Sequence, residues 1–159
     1  MIVVADSGPL HYLVALDEVE LLRQFYGNVH IPAAVAHELS SPGAPAQVAK
    51  WIADLPAWVS IEIIDDDSVL KPSAIGAGES EAIALALMIG AGLVLMDDRA
   101  GRREARRRNL EVTGTLGILR IAAERGLIDV PSVVRRLRST NFYVGGDLIL
   151  SFFGRWLRD

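Results

Sequence analysis

A chain of 159 residues is long enough for one domain with a sizeable hydrophobic core. Its hydrophobic share is 51% and its aromatic share only 6%, so Ala, Leu, Val and Ile must do the packing. The absence of Cys excludes disulfides and thiolate metal sites and suits a reducing cytosol, so a cytoplasmic location is the expectation.

Net charge is -4, but its distribution is uneven. Residues 1–98 hold 14 acidic and 3 basic side chains, whereas residues 99–159 hold 13 basic and 6 acidic. An acidic metal centre beside a basic phosphate-binding surface would show this asymmetry, as would chance segregation of solvated faces. No apolar run approaches the roughly 18 residues of a membrane-crossing helix. The N-terminus has neither a basic region nor a long apolar core, so no signal peptide and no membrane partner are expected.

Ile2-Val3-Val4-Ala5 reads as a short strand buried on both faces, ending in the carboxylate of Asp6. Ser7 is placed to cap a helix through Leu10, Leu13, Val14 and Leu16, with Pro9 in its first turn. Asp17 and Glu20 have capping-box-like spacing and are expected to start a second helix through Leu21, Leu22 and Phe25, closed by Gly27. Val29-His30-Ile31 is a brief strand, and Pro32 opens a helix containing Val35, Glu38 and Leu39. Ser40 to Pro45 is a breaker, after which helical spacing resumes at Val48, Trp51, Ile52 and Leu55.

Trp58 to Ile64 alternates as an edge strand would, and Asp65-Asp66-Asp67 reads as a solvated loop. Gly76-Ala77-Gly78 leads into Glu79-Ser80-Glu81 and then Ala82 to Ile89, apolar all round and therefore a buried helix ended by Gly90. Leu93-Val94-Leu95-Met96 is a second central strand, ending in Asp97-Asp98. An Arg-rich helix follows, then Leu110 to Thr113 as a last strand. Helices are expected over Leu116–Glu124, Pro131–Leu137 and Asp147–Leu157. Strands alternating with helices make this an α/β chain with a mainly parallel sheet.

Asp6 and Asp97 each close an apolar strand, so a parallel sheet puts both on its carboxyl edge, where open α/β folds bind ligands. Glu79 stands in the first turn of a helix, above the core-facing Ala82, Ile83 and Ala86, and Glu38 stands beside Ala34 and Val35. Four converging carboxylates without Cys or a His cluster suit a hard cation, Mg²⁺ or Mn²⁺ rather than Zn²⁺. Such a site can activate water and stabilise in-line displacement at a phosphodiester. Each acid also has a purely structural reading. Glu79 favours the positive end of a helix dipole, Asp98 is a natural N-cap for the helix after it, and Glu81 replaces Glu79 if the register differs.

Arg99, Arg102, Arg103 and Arg106 recur at i, i+3, i+4 and i+7, a basic stripe starting beside the acids. Arginines in a first turn oppose the helix dipole, so phosphate contact gives a reason for them that local stability does not. A solvated face or salt bridges to the acidic half are the alternatives. Thr113-Gly114-Thr115-Leu116-Gly117 lacks the Lys of a Walker motif. It places a hydroxyl near the site or, as the favoured reading, a strand-to-helix turn capped by Thr115.

Four stretches together resemble the PIN-domain family, and in particular the toxin ribonucleases of the VapC type and their relatives. They are Val3-Val4-Ala5-Asp6-Ser7, Val35-Ala36-His37-Glu38-Leu39, Gly78-Glu79-Ser80-Glu81-Ala82-Ile83-Ala84-Leu85-Ala86, and Leu93-Val94-Leu95-Met96-Asp97-Asp98-Arg99. The resemblance covers residues 1 to about 120. It implies a three-layer α/β/α sandwich with a mainly parallel sheet and Mg²⁺- or Mn²⁺-dependent endonucleolytic cleavage of RNA. It also implies a homodimer silenced by a cognate antitoxin. The family's acidic set falls on Asp6, Glu38, Glu79 and Asp97, and its hydroxyl on Ser7; Asp98 and Thr115 stand beside them. Three departures are the longer Glu79 where many relatives carry Asp, the doubled Asp97-Asp98, either of which can stand as the fourth ligand, and residues 145–159, a C-terminal helical extension within a single PIN-like domain spanning 1–159.

A receiver-like or phosphatase-like domain would need paired acids after the first strand or an Asp-x-Asp, and Asp6-Ser7-Gly8 supplies neither. A non-catalytic PIN fold acting as an RNA- or protein-interaction module stays open as the alternative function.

Overall fold

A computed structural model describes residues 1–65 and 75–158. In chain order its elements are β1 (Val3–Ala5), α1 (Ser7–Ala15), α2 (Glu20–Tyr26), β2 (Val29–Pro32), α3 (Ala33–Leu39), α4 (Ala46–Ala53), β3 (Val59–Glu62), α5 (Ala77–Ile89), β4 (Leu93–Leu95), α6 (Arg99–Arg107), β5 (Val112–Thr113), α7 (Thr115–Glu124), α8 (Val130–Arg138) and α9 (Gly146–Leu157). The expected solvated loop at Asp65-Asp66-Asp67 lies largely outside the described residues; Asp65 is exposed.

All five strands run parallel in the order β3-β2-β1-β4-β5. The chain winds outward from β1 through β2 to β3, then crosses back to lay β4 and β5 on the other side of β1. The direction of winding therefore reverses between β1 and β4, the topological switch point at which open α/β sheets form their crevice. Val59 to Glu62 is an edge strand, as its alternation predicts.

Parallel strands are covered on both faces, and the pleat sorts their side chains into two cores. Val3, Ala5, Val29, Ile31 and Leu95 face one way and pack with Leu10, Leu13, Leu22, Leu119, Val133 and Phe153. Val4, Val94 and Met96 face the other way, onto Ala82, Ile83, Leu85 and Ala86 of α5 and Ala105 of α6. The result is an α/β/α sandwich. Ala82, Ala84 and Ala86 are all buried and keep α5 close to the sheet. Among the described residues no helix is long and apolar enough to cross a membrane.

Three of the expected caps are corrected. Ser7 is the first residue of α1 rather than its cap; Asp6 holds the cap position, without a capping side-chain bond. The reason is that Asp6 still belongs to the sheet, its N–H donating to the Leu95 carbonyl at 2.8 Å, so strand passes directly into helix. Asp17 does not cap α2 either. It takes a left-handed turn at φ 58°, and the following Glu18 N–H folds back onto the Leu13 carbonyl at 2.8 Å. At α7 the cap position belongs to Gly114, because Thr115 is engaged elsewhere.

The terminal helix α9 packs on α7 and α8 and inserts Ile149 and Phe153 into the larger core. Phe153 is fully buried, so Phe153→Ala is expected to cost about 3–5 kcal/mol of stability. Chemical denaturation reads the loss directly, with the exposed Leu150→Ala as a near-neutral control.

Candidate active site

Four acids from four elements approach the switch point. Asp6 follows β1, Asp97 follows β4, Glu38 comes from α3 and Glu79 from the first turn of α5. Asp6 is 2% exposed, and its Oδ1 is buried without a hydrogen-bond partner. Burial pushes its carboxyl from the ordinary range up to about 8, with Glu79, Glu38 and Asp97 adding like-charge repulsion. Burial also raises Glu79, with Asp98 and Glu38 adding to it. Asp97 is raised by burial as well, but two hydrogen bonds from Thr115 and the positive charge of Arg102 offset part of the rise.

Each acid has a local support. The Thr115 N–H donates to Asp97 Oδ1 at 2.7 Å and its hydroxyl to Oδ2 at 2.6 Å, gripping the carboxylate from the start of α7. Ser7 Oγ donates to Glu38 Oε2 at 2.8 Å. Missing side chains matter as much. A Cβ on Gly114 would lie 2.6 Å from Asp97 Oδ1, and one on Gly78 would run into the Glu38 carboxylate. A Cβ on Gly101 would meet Met96 Sδ at 2.6 Å and Glu79 Cγ at 3.1 Å.

The remaining sequence candidates separate clearly. Asp98 caps α6, its Oδ2 accepting from the Gly101 N–H at 2.7 Å. Thr115 is not a turn cap: its hydroxyl serves Asp97, which corrects the favoured reading of that residue. Glu81 accepts from the Ala34 N–H at 3.2 Å, holding the start of α3 rather than entering the acid group. In the basic stripe Arg102 is half-buried beside Asp97, while Arg99, Arg103 and Arg106 are exposed. Arg107 and Arg108, which widen the stripe in sequence, pair with the mostly buried Glu104 at 3.2 and 3.1 Å.

Sequence reasoning passed over His11 and Tyr12. Both line a hollow of about 290 Å³ beside Ser7 and Glu38, and burial lowers the His11 pKa. Tyr12 also donates to Asn141 Oδ1 at 2.9 Å, tying the segment before α9 to this region. No sequence signal pairs residues 129 positions apart.

The donor set is all oxygen, and an unpartnered buried carboxylate oxygen is what a hard cation would satisfy. As they stand, however, no three His, Asp or Glu side chains among the described residues are gathered closely enough to hold one ion.

The raised Asp6 pKa sets a pH dependence. The native state keeps the Asp6 proton up to about pH 8, whereas the unfolded chain loses it near 4, so this group makes stability fall as pH rises between the two. Asp6→Asn removes the titration, so the metal-free variant should melt higher than the parent, with a larger gap at pH 8 than at pH 5. Thermal melts in chelator at both values measure it. Asp98→Ala should cost about 1 kcal/mol through loss of the cap, read by the same melts.

A family model described as PIN domain matches residues 2–156. Among solved structures the chain is similar to a PilT N-terminus domain protein from the hyperthermophilic archaeon Sulfolobus solfataricus P2. That match has 15% identity and a TM-score of 0.47, over 91% of this chain and 100% of that one. No curated protein matches the sequence significantly. Because the family model spans nearly the whole sequence, including all four acids, the chain belongs to the PIN-domain family.

Proposed function

We propose that this protein is a Mg²⁺- or Mn²⁺-dependent endoribonuclease, hydrolysing RNA phosphodiester bonds at the acid group of the switch point. PIN domains are generally nucleases and typically use divalent metals, which supports the coarse assignment. The observation that supports the finer one is Asp6: a buried carboxyl with an orphaned oxygen, held protonated by burial and by three neighbouring acids. A cation, a proton or a hydrogen-bond donor relieves such a group, and no donor among the described residues reaches its Oδ1.

In this reading Asp6, Glu38, Glu79 and Asp97 would hold the ion, which when bound would supply an activated water and offset charge developing on the phosphoryl oxygens. Asp97 is held in place for that task by Thr115, and Glu38 by Ser7. Arg102 neutralises the phosphate nearest the acids, while Arg99, Arg103 and Arg106 extend the cationic track along α6 for the RNA backbone. The biological role we favour is that of a cytoplasmic toxin, homodimeric and silenced by an antitoxin. Its support is the resemblance of the four acid-bearing stretches to VapC-type toxins. Residues 1–159 then form one domain, with 145–159 as its C-terminal extension.

One observation favours a second reading, a non-catalytic module binding RNA or protein. The acids are not closely gathered as they stand, and Asp97 already has a hydrogen bond to each oxygen.

A cleavage assay on single-stranded RNA with Mn²⁺ separates the two. Wild type should cut and lose activity in EDTA, while Asp6→Asn should be slower by at least about 100-fold, the scale on which loss of charge stabilisation acts. Equal cleavage by both proteins removes the assignment. Mn²⁺ should also raise the melting temperature of wild type and not of Asp6→Asn. For the toxin role, expression of wild type should arrest growth and Asp6→Asn should relieve it.

A further inference from the structure

The acid group opens on one side into a cavity of about 430 Å³ that the hydrolytic reading leaves unused. Asp97 and Arg102 line it together with Phe142, Tyr143, Leu148 and Phe152. A hollow of this size fits a single small ligand, in the range of about 300–1,000 Å³ typical of such sites. Its lining combines two chemistries, a cation beside the acid group and a set of aromatic and apolar side chains.

Arg102 makes no salt bridge among the described residues, although Arg107 and Arg108 of the same helix both find Glu104. It sits in the first turn of α6, where a positive charge opposes the helix dipole. An anion arriving in the cavity is the partner this position lacks. Among the aromatic lining residues Tyr143 is 98% exposed, its ring covered by nothing in the fold. Its segment is nonetheless anchored: Asn141 accepts from the Tyr12 hydroxyl at 2.9 Å, and Phe142 meets the Tyr12 ring edge-on at 4.7 Å. Tyr143 is thus an unburied aromatic that follows a half-buried Phe142 packed on Tyr12.

We infer that this cavity is a subsite for one unpaired nucleotide next to the scissile bond, its phosphate on Arg102 and its base against Tyr143 and Phe152. The inference rests on the nuclease reading of the acids and adds to it a base-stacking subsite built by Tyr143 and the α9 residue Phe152. A duplex cannot offer a base face to an aromatic ring without opening, whereas a splayed single strand can. Stacking of this kind tolerates any base, so the subsite confers strand selectivity more than sequence selectivity.

The test measures binding in an Asp6→Asn background, which keeps RNA intact, by fluorescence anisotropy. The probes are a short unstructured RNA, the same RNA as a duplex, and an abasic ribose-phosphate strand of equal length. The parent should bind the single strand roughly 5- to 100-fold more tightly than the abasic strand, the scale of one stacked base. Tyr143→Ala should lose most of that preference and Tyr143→Phe should keep it, while Arg102→Ala should weaken both single strands alike. Tyr143 is exposed, so folding is not at stake. If Tyr143→Ala and Phe152→Ala both leave the ratio unchanged while Asp6 remains essential for cleavage, the subsite is overturned and the nuclease reading survives. Preference for the duplex overturns it as well. If the wild type binds no RNA and cuts none, both readings fall.

Discussion

Everything at the switch point is conditioned by one unfavourable interaction, the burial of the Asp6 carboxyl among other acids. Hydrophobic packing of Val3, Val4 and Ala5 fixes the strand, and the amide of Asp6 continues its ladder to Leu95. The side chain therefore has no freedom to swing into water. A carboxylate so placed costs stability unless it is protonated or paired with a cation. Folded proteins keep such costs where function requires them, and the rest of the fold must supply the stability that this site withholds.

The geometry around Asp6 follows from the winding of the chain. Side chains alternate along β1 and β4, so Val4 and Val94 face α5 while Ala5 and Leu95 face the opposite core. Beyond the strand ends, Asp6 couples most strongly with Glu79 of α5, and Asp97 is held by Thr115 of α7. The acid group thus draws on both layers, Glu79 standing on α5 and Asp97 being held from α7. Close approach is possible because Gly78, Gly101 and Gly114 leave room where any larger residue would displace a carboxylate or its neighbours. Glycine here serves proximity rather than flexibility.

Much of this was legible in the sequence because strong local signals coincide with the function. An apolar run that stops at an acid is visible twice, at Asp6 and at Asp97, and a parallel sheet then requires both on one edge. Element types followed from apolar periodicity, and the breakers at Gly27 and Gly90 ended helices where expected. What escaped was nonlocal or decided by competition. Asp17 reads as a cap by type and spacing, yet the preceding turn claims the backbone first. Thr115 reads as a cap too, but its hydroxyl donates to the Asp97 carboxylate, a charge-assisted bond stronger than one to a neutral backbone group. The union of Tyr12 with Asn141 and Phe142 depends on how α9 docks, which no window of sequence contains.

The uneven charge of the chain takes on meaning through this competition. The basic half does not simply neutralise the acidic half, because the arginines of α6 divide their duties. Arg107 and Arg108 close locally on Glu104 at the end of the helix, where cations also suit the dipole. Arg102, at the unfavourable end, stays beside Asp97 without a salt bridge to it among the described residues. Had it closed on Asp97, the acid group would be internally compensated, and neither a cation nor a phosphate would find an electrostatic reason to bind. Keeping the two charges adjacent but unpaired leaves an acidic well beside a basic wall. In the function proposed above, that juxtaposition would suit a metal ion together with the phosphate it serves.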